Sequence, residues 1–414
     1  MINIFLFLGS VLAIFLTDIP SFLYLLFSFF YSYFLGNILK KKKKKSLLFL
    51  GISIPLLVLI LVKISLSYPD FFSFISFFGI SYFTLEILSY LIDIYRGKIK
   101  ESDLWTYALY LFYYPCLILG PINRYEDFKK EIIKKKRIKV NNVFQGLFRI
   151  LIGSCKKLIL AGRVSILISS ITTNDLQGLY VLFACFLYSI LLYADFSGGI
   201  DMVLGFSKIF DLDLPENFDT PYFSKSVKEF WRRWHMTLSN WLKDYVYIPL
   251  GGNRVSRWRV KINILLTFLV SGFWHGAHYL VWGLVHGLLV IFSKPLKHKW
   301  LSTVVTFCLV SLTWVFYVYP DTLMALSKFG SIFTNGFTID FLSLGLDMCN
   351  YVVLLLSVLL LWVYDLKKEK VHTFFGKCSL ESKILILGTL CILVLLLGIY
   401  GIGFEVNDFI YSKF

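Results

Sequence analysis

The chain of 414 residues is 57% hydrophobic, and only 16% of its residues are charged. A soluble globular protein is about 45–50% apolar and about 25% charged, so this composition excludes an ordinary soluble domain and indicates a membrane protein. The formal net charge of +16 does not come with a basic and aromatic binding surface or a zinc-finger spacing, which argues against nucleic-acid binding. The positive charge falls in short clusters between apolar runs, as in the cytoplasmic loops of membrane proteins. We therefore predict one all-α membrane domain over residues 1–414. Its surroundings are expected to be membrane lipids, and no nucleic-acid partner is expected.

Apolar runs near the length of a membrane-spanning helix, about 20 residues, recur along the whole chain. We predict about eleven crossings, at residues 2–16, 20–39, 46–66, 71–94, 143–170, 178–206, 262–280, 281–293, 300–319, 350–366 and 382–403. Lys and Arg mark the cytoplasmic side, and they cluster at 40–45, 225–259, 294–299 and 367–370. This distribution predicts a cytoplasmic N-terminus and an external C-terminus.

The apolar run at 104–122 does not fit a simple crossing, because a full crossing would place the basic segment 129–139 outside. Pro115 and the pair Gly120-Pro121 interrupt this run. We predict a broken segment that enters the membrane and returns to the same side. Irregular backbone at that depth is tolerated only where protein or water covers it, so the segment indicates a cavity.

Residues 224–246 predict an amphipathic helix that lies in the membrane interface. Its apolar residues recur at three- and four-residue steps, namely Val227, Phe230, Trp234, Leu238, Trp241 and Tyr245. Polar and basic residues occupy another face, namely Lys225, Lys228, Arg232, His235 and Ser239. A simple surface anchor would show the same pattern. The concentration of tryptophans around one histidine favours a second role as a wall of a site.

Histidines and glycines concentrate at residues 271–278, in the order Ser-Gly-Phe-Trp-His-Gly-Ala-His. If the helix continues past them, one stripe contains Ser271, His275, His278, Trp282 and His286. Ionisable groups inside a membrane are costly and indicate a functional site. Three interpretations remain open: histidines that bond across helices, a metal site, and a general base. The metal site has the least support, because no carboxylate lies nearby in sequence and no H-E-x-x-H motif occurs, whereas an imidazole can take a proton at neutral pH.

Other common catalytic signatures are absent from the sequence. It contains no G-x-S-x-G elbow, no Walker loop and no G-x-G-x-x-G motif, which weakens hydrolase, NTPase and dehydrogenase interpretations. The seven scattered cysteines form no C-x-x-C pair and are interpreted as small buried hydrophobic residues. Four acidic residues in or near apolar segments could pair with arginines, orient a histidine or form a proton path, namely Glu86, Asp93, Asp195 and Asp201.

The sequence FWRRWHMTLS at 230–239, followed by IPLGGNR at 248–254, resembles the signature of the membrane-bound O-acyltransferase (MBOAT) family. The Gly-Gly-Asn-Arg ending is most similar to the alginate O-acetylation branch, while the D-alanyl-teichoic acid branch shares the Arg-Trp-His core. Further motifs resemble those of the family in the same order, namely GISYFT at 79–84, SYLIDIYR at 89–96, GPINR at 120–124, DFSG at 195–198, PENF at 215–218, GFWHGA at 272–277 and FIYSKF at 409–414.

The resemblance implies a polytopic fold with re-entrant and interfacial helices around a central tunnel, in the plasma membrane of a bacterium. It implies that His275 is the catalytic base and that His235 assists in positioning or proton transfer. Other residues of the same motifs are expected to line the tunnel or contact substrate, namely Arg232, Arg233, Trp234, Asp195, Ser197, Asn217, Asn253, Arg254, Trp274 and His278.

The implied activity is transfer of an acetyl group from cytoplasmic acetyl-CoA, with no bound cofactor, for O-acetylation of an extracellular or cell-wall polysaccharide. An extracytoplasmic partner acyltransferase is expected to complete the transfer. The polyanionic donor is expected near the basic segments 129–139 and 225–259. D-alanyl transfer to teichoic acid is one alternative. A polysaccharide or lipid-carrier transporter is an alternative of another class, although no inverted repeat is evident.

Overall fold

The structure is a computed structural model that describes residues 2–70, 74, 77–335 and 338–400. Within these residues it is all helical, as predicted, with no strand. The α-helices are α1 (Ile2–Thr17), α2 (Ile19–Lys41), α3 (Lys45–Ser67), α4 (Ile80–Tyr95), α5 (Leu104–Phe112), α6 (Tyr114–Leu119), α7 (Tyr125–Ile133), α8 (Val140–Ser154), α9 (Gly162–Thr173), α10 (Leu179–Ile209), α11 (Val227–Arg233), α12 (Met236–Leu242), α13 (Arg257–His275), α14 (Leu280–Phe292), α15 (Lys299–Thr313), α16 (Val315–Val318), α17 (Thr322–Thr334), α18 (Met348–Lys377) and α19 (Leu380–Leu397).

Six helical segments among the described residues are long and apolar enough to cross a membrane, namely Ile19–Lys41, Lys45–Ser67, Leu179–Ile209, Lys299–Val318, Met348–Lys377 and Leu380–Leu397. Two shorter apolar segments, Ile2–Thr17 and Ala277–Phe292, accompany them. The predicted multi-pass architecture is therefore confirmed, but the count of about eleven crossings is not. Large apolar side chains on the outer helices are exposed, such as Leu396 at 76%, because lipid rather than water surrounds them.

The long helix α10 forms the centre of the bundle and packs closely against α8. Two pairs of glycines make this approach possible. A Cβ atom on Gly153 would lie 2.4 Å from the carbonyl oxygen of Gly198, and one on Gly146 would lie 2.5 Å from that of Gly205. Small residues commonly permit such contacts between membrane helices. This packing fixes the position of α10, which passes beside the candidate site.

The predicted break in residues 104–122 is present. Helices α5 and α6 are separated by Tyr113, which is not helical, and α6 ends at Leu119, just before Gly120. The chain then turns back, so that the ring of Tyr125 in α7 lies 5.6 Å from that of Tyr110 in α5. With nine residues, α5 is only about 14 Å long and does not cross a membrane alone. The Tyr110 hydroxyl donates to the carbonyl oxygen of Asn123 at 3.1 Å. This hydrogen bond holds the returning segment against α5.

The segment 224–246 is not one continuous helix, contrary to the prediction. Helices α11 and α12 are separated by Trp234 and His235, and the φ of His235, +42°, lies in the left-handed region. The carbonyl oxygen of Asn217 accepts from the Met236 amide at 2.9 Å, and its side-chain Oδ1 accepts from the Thr237 amide at 3.1 Å. Bonds to a distant segment therefore replace the helical bonds, and a periodic pattern of apolar residues cannot reveal this.

The prediction that residues 271–286 place one stripe of side chains on a continuous helix is wrong, because the helix does not continue. Helix α13 ends at His275, and Gly276 adopts a φ of +154° that L side chains rarely adopt. A short 3-10 turn then leads into α14, which packs back against α13 with Gly272 beside Gly283. The expectation that residues 262–293 pass twice through the membrane agrees with this hairpin.

Some sequence expectations concern residues that the structure does not describe. They are part of the first turn of the predicted helix 71–94, the end of the helix 382–403, the motif at 409–414 and the side on which the C-terminus lies. Within the described residues the corresponding helices begin at Ile80 and end at Leu397.

Replacing Gly198 with Leu should destabilise the protein, because the new side chain would collide with the backbone of α8. Overpacking of this kind costs about 1–3 kcal/mol. Thermal unfolding of the purified protein in detergent should show a clear decrease in Tm. Gly388→Leu is the matched control, since Gly388 has no neighbour within 4 Å. An equal decrease for both variants would contradict the close packing of α8 and α10.

Candidate functional site

The break at His235 positions its imidazole in the interior, where the residue is 1% exposed. His235 Nδ1 lies 3.2 Å from Oδ1 of Asn217. The same oxygen accepts from the amide of Thr237 at 3.1 Å and from its hydroxyl at 2.9 Å. Asn217 is fully buried, and its amide oxygen therefore organises the turn that contains His235.

These contacts determine which nitrogen of His235 holds its proton when the ring is neutral. The Thr237 amide can only donate, so the Asn217 atom that it contacts must be the oxygen. An amide oxygen can only accept, so His235 Nδ1 must be the donor. Nε2 then carries the lone pair that can accept a proton. The neutral His235 is thus in the state required of a base or a proton relay.

His275 lies at the end of α13 and is 4% exposed. The indole of Trp274 contacts both histidines, with its ring centroid 6.0 Å from that of His235 and 4.8 Å from that of His275. The rings of Trp282 and Tyr317 lie 5.5 Å and 6.2 Å from His275. The structure thus brings the two predicted catalytic histidines together inside one aromatic enclosure.

The orientation of Trp274 is fixed by α4. Its indole N–H donates to the carbonyl oxygen of Ser81 at 3.1 Å, and its ring makes an edge contact with Tyr82 at 5.9 Å. Because an indole N–H can only donate, this hydrogen bond fixes the orientation of the Trp274 ring. The GISYFT motif therefore positions the aromatic group that packs against both histidines.

Asp195 and Ser197, two of the expected tunnel residues, interact with lysines. Asp195 forms an ion pair with Lys157, and Ser197 accepts from Lys156 at 3.4 Å. The two lysines belong to a π-helical turn, Cys155–Ala161, between α8 and α9. This paired arrangement explains how α10 can hold a buried carboxylate, since buried charges are tolerated when they are paired.

Asp201 extends this network toward the C-terminal end of α10. It accepts from Lys156 at 2.8 Å and from Arg149 at 2.9 Å. Arg149 also holds Glu216, of the PENF motif, through two bonds of 2.7 Å. Glu216 precedes Asn217 in the chain, so the ion pairs of α8 and α10 anchor the segment that orients His235.

Phe196 and Lys63 contact the site but were not among the predicted site residues. The ring of Phe196 lies 4.8 Å from that of His235, and Lys63 Nζ lies 5.8 Å from the centroid of the Trp274 ring. Phe196 had a signal in its place within the DFSG motif, from which only Asp195 and Ser197 were predicted as site residues. Lys63 had a signal, because it is an ionisable residue inside an apolar spanning helix.

The residues of the Arg-Trp-His motif lie in different environments. Trp234 is buried among aromatic rings, including those of Phe218 at 5.0 Å and Phe230 at 5.3 Å. Arg233 bonds to Thr220 and pairs with a glutamate of its own helix. Arg232 is exposed. Among these three residues, Trp234 and Arg233 stabilise the local fold, whereas Arg232 is accessible from outside.

Asn253 and Arg254 are exposed in the turn that follows α12, outside the aromatic enclosure. Asn253 accepts a hydrogen bond from the hydroxyl of Tyr247. The two preceding glycines have positive φ values of 106° and 53°, which produce the tight turn. His278 is half-buried beside Tyr279, in the turn that follows His275.

His286 has a different role from His235 and His275. Its Nδ1 accepts from the indole of Trp231 at 3.2 Å, and its Nε2 lies 2.8 Å from the hydroxyl of Thr313. The indole can only donate, so Nε2 carries the proton of the neutral ring and donates to Thr313. With both nitrogens bonded, His286 fits the interpretation of a histidine that bonds across helices.

A cleft of about 460 Å³ lies between α7, the GPINR turn and Thr237. Its lining has mixed charge, with two cations and three carboxylates, namely Arg124, Lys130, Asp127, Glu131 and Asp213. The hydroxyl of Thr237 accepts from the amide of Ile122 at 3.1 Å and donates to Asn217. The GPINR turn and the residue that helps to hold Asn217 therefore form the inner end of this cleft.

Within the described ranges, no group of three His, Cys, Asp or Glu side chains converges in a way that could hold a metal ion. The two histidines of the site approach Trp274 and not a carboxylate. The chemistry available from these side chains is proton transfer by imidazole in a water-poor enclosure.

The sequence profile of the membrane-bound O-acyltransferase family matches residues 25–299. This match covers more than half of the chain and includes every motif of the site described above. The protein belongs to this family and is a multi-pass membrane protein.

Individual relatives come from several bacteria. The chain is 35% identical to "Probable alginate O-acetylase AlgI" of Pseudomonas aeruginosa, over 62% of this chain and 52% of the relative. It is 34% identical to "Peptidoglycan O-acetyltransferase" of Helicobacter pylori, over 64% and 58%. It is also 32% identical to "Teichoic acid D-alanyltransferase" of Bacillus subtilis, over 55% and 63%. The chain thus spans little more than half the length of the first two relatives.

The contacts of His235 and His286 lead to a prediction about tautomers. His235 should carry its proton on Nδ1 and His286 on Nε2, because Asn217 can only accept and Trp231 can only donate. The protein is labelled with ¹⁵N at its six histidines. The NMR spectrum should show the Nδ1-protonated form for His235 and the Nε2-protonated form for His286. Single substitutions assign the signals. In Asn217→Ala the His235 signal should change while that of His286 remains, and the same tautomer for both rings would contradict this geometry.

Proposed function

We propose that the protein is a membrane O-acyltransferase of the bacterial plasma membrane. It moves an acetyl group from cytoplasmic acetyl-CoA through the protein, for O-acetylation of an extracellular or cell-wall polysaccharide. The observation that carries this proposal is the pair of buried imidazoles, His235 and His275, which both pack against the Trp274 ring. Membership of the acyltransferase family supports the same reaction class.

The placement of the site supports a transfer between the two sides of the membrane. The basic residues at the start of α13 mark the cytoplasmic side, and His275 lies about 27 Å along that helix from Arg257. The lining of the cleft beside Thr237 includes Arg124 and Lys130, and Lys130 belongs to the basic segment 129–139. A donor that enters this cleft reaches His235 first, and an acceptor from outside reaches the turn at His275 first. A tunnel between these two ends is part of the proposal.

The reaction requires a base and a relay. His275 takes the proton from the acceptor hydroxyl as its oxygen attacks the carbonyl carbon of the thioester. The C–S bond then breaks, and the thiolate takes a proton to leave as free CoA. His235, held by Asn217 with its lone pair on Nε2, positions the donor or passes this proton. The aromatic enclosure excludes water, which would otherwise hydrolyse the thioester.

The final acceptor and the partner are proposed from the relatives. Their names refer to alginate and to peptidoglycan, and both are carbohydrate polymers that lie outside the cytoplasm. A polymer of that size does not enter a helical bundle. We therefore propose that an extracytoplasmic partner acyltransferase accepts the acetyl group at the end near His275 and esterifies the sugar.

D-alanyl transfer to teichoic acid is the second candidate. The identity of 32% to a teichoic acid D-alanyltransferase favours it, and the same two histidines would serve that reaction. The donor would then be a D-alanyl thioester on a phosphopantetheine carrier protein. The small cleft beside Thr237 would receive the phosphopantetheine arm in place of the CoA arm.

His275→Ala should abolish transfer while the protein still accumulates in the membrane. Loss of a general base lowers the rate by about 100-fold or more. The measurement is NMR of ester-linked acetate on surface glycans from wild-type, deletion and variant strains. The matched control is His298→Ala, which removes an exposed histidine at the start of α15 and should leave the acetate content unchanged.

The outcomes of this comparison separate the candidates. Loss of acetate in the deletion and the His275→Ala strain supports O-acetylation and identifies the glycan. Loss of D-alanine esters with unchanged acetate supports the second candidate instead. Full ester content in the His275→Ala strain, with the deletion negative, would overturn the assignment of the base.

A further inference from the structure

Lys63 is the only ionisable residue between Ser46 and Ser67 in the apolar helix α3. The surrounding sequence of leucines, isoleucines and valines otherwise has the composition of a simple spanning helix. A buried cation is costly in such a helix, so its presence requires an explanation that apolar packing does not provide.

The location of Lys63 makes its burial informative. It lies about 27 Å along α3 from the cytoplasmic end, close to the opposite surface of an apolar layer about 30 Å thick. A lysine at such a position can extend its ammonium group to water. Lys63 does not do so, because it is 1% exposed and its Nζ lies 5.8 Å from the centroid of the Trp274 ring.

The end of α3 is fixed against the turn that follows His275. The hydroxyl oxygen of Ser67 accepts from the amide of Ala277 at 2.8 Å and donates to the carbonyl oxygen of Lys63, also at 2.8 Å. This connects the backbone of Lys63 to the turn through a single side chain.

We propose that Lys63 supplies the positive charge of the transfer site and places its ammonium against the carbonyl oxygen of the acyl donor. This inference rests on the proposed acyl-transfer function. It assigns to α3 a catalytic group that is remote in sequence from both histidine motifs.

The reaction step shows where a cation is needed. The acceptor oxygen forms a bond to the thioester carbon, the electron pair of the C=O bond moves to its oxygen, and the hydroxyl proton passes to His275. The oxyanion then re-forms the C=O bond and expels the thiolate, which takes the proton from the imidazolium. An ammonium group in a water-poor enclosure stabilises the oxyanion more than the neutral thioester, and this difference accelerates the step.

Three variants of the purified full-length protein test this role. Lys63→Met keeps the length of the side chain without the charge, and Lys63→Arg keeps the charge. Lys45→Met makes the same change at an exposed lysine at the start of the same helix. For each variant, kcat and KM are measured with acetyl-CoA or a D-alanyl carrier thioester, whichever the wild-type protein uses, together with Tm.

We expect kcat of Lys63→Met to fall by about 100-fold, as for loss of other oxyanion donors, with KM for the donor nearly unchanged. Lys63→Arg should recover part of kcat, and Lys45→Met should match the wild type. Wild-type kcat in Lys63→Met would overturn the role of Lys63 and leave the proposed function intact. An equal loss in the Met and Arg variants, with a lowered Tm, would show a structural role instead. A wild-type protein that transfers from neither donor would overturn the proposed function together with this inference.

Discussion

Every polar group that this chain carries into the apolar layer must find its partner inside the protein, because lipid offers none. The oxygen of Asn217 illustrates the constraint, since it accepts from His235 and twice from Thr237 while fully buried. The break between α11 and α12 exists only with these bonds. The depth and direction of His235, and the inner end of the cleft beside Thr237, depend on that break.

The same constraint explains why the buried aspartates and the histidines lie in different surroundings. Asp195 and Asp201 are paired with lysines of the π-helical turn after α8, and the close packing of α8 against α10 brings those partners within reach. These ion pairs stabilise the packing of α8 and its π-helical turn against α10. The two histidines that contact Trp274 are instead surrounded by aromatic rings, where an imidazole can exchange a proton with a substrate. An aromatic enclosure held in place by the ion-paired helices α8 and α10 suits a reaction that must exclude water.

The sequence predicted the class of fold, the family and the two central histidines, because composition, charge clusters and long motifs determine these features locally. It predicted the break near Pro115 for the same reason. It did not predict the break at His235, since the apolar period of residues 224–246 continues through it and the bonds that cause it come from Asn217. The reversal at Gly276 likewise depends on a backbone conformation. Lys63 approaches Trp274 only through the packing of α3 beside the hairpin, which no local pattern contains.

The central claim is that the acyl group enters beside the basic segments and leaves near His275. The most direct measurement uses sealed vesicles that contain the purified protein in one known orientation, with acetyl-CoA labelled in its acetyl group on one side and the acceptor partner on the other. The account predicts labelled ester when the donor faces the segments 129–139 and 225–259, and none when the two sides are exchanged. Equal transfer from both sides would contradict a directional path through the site.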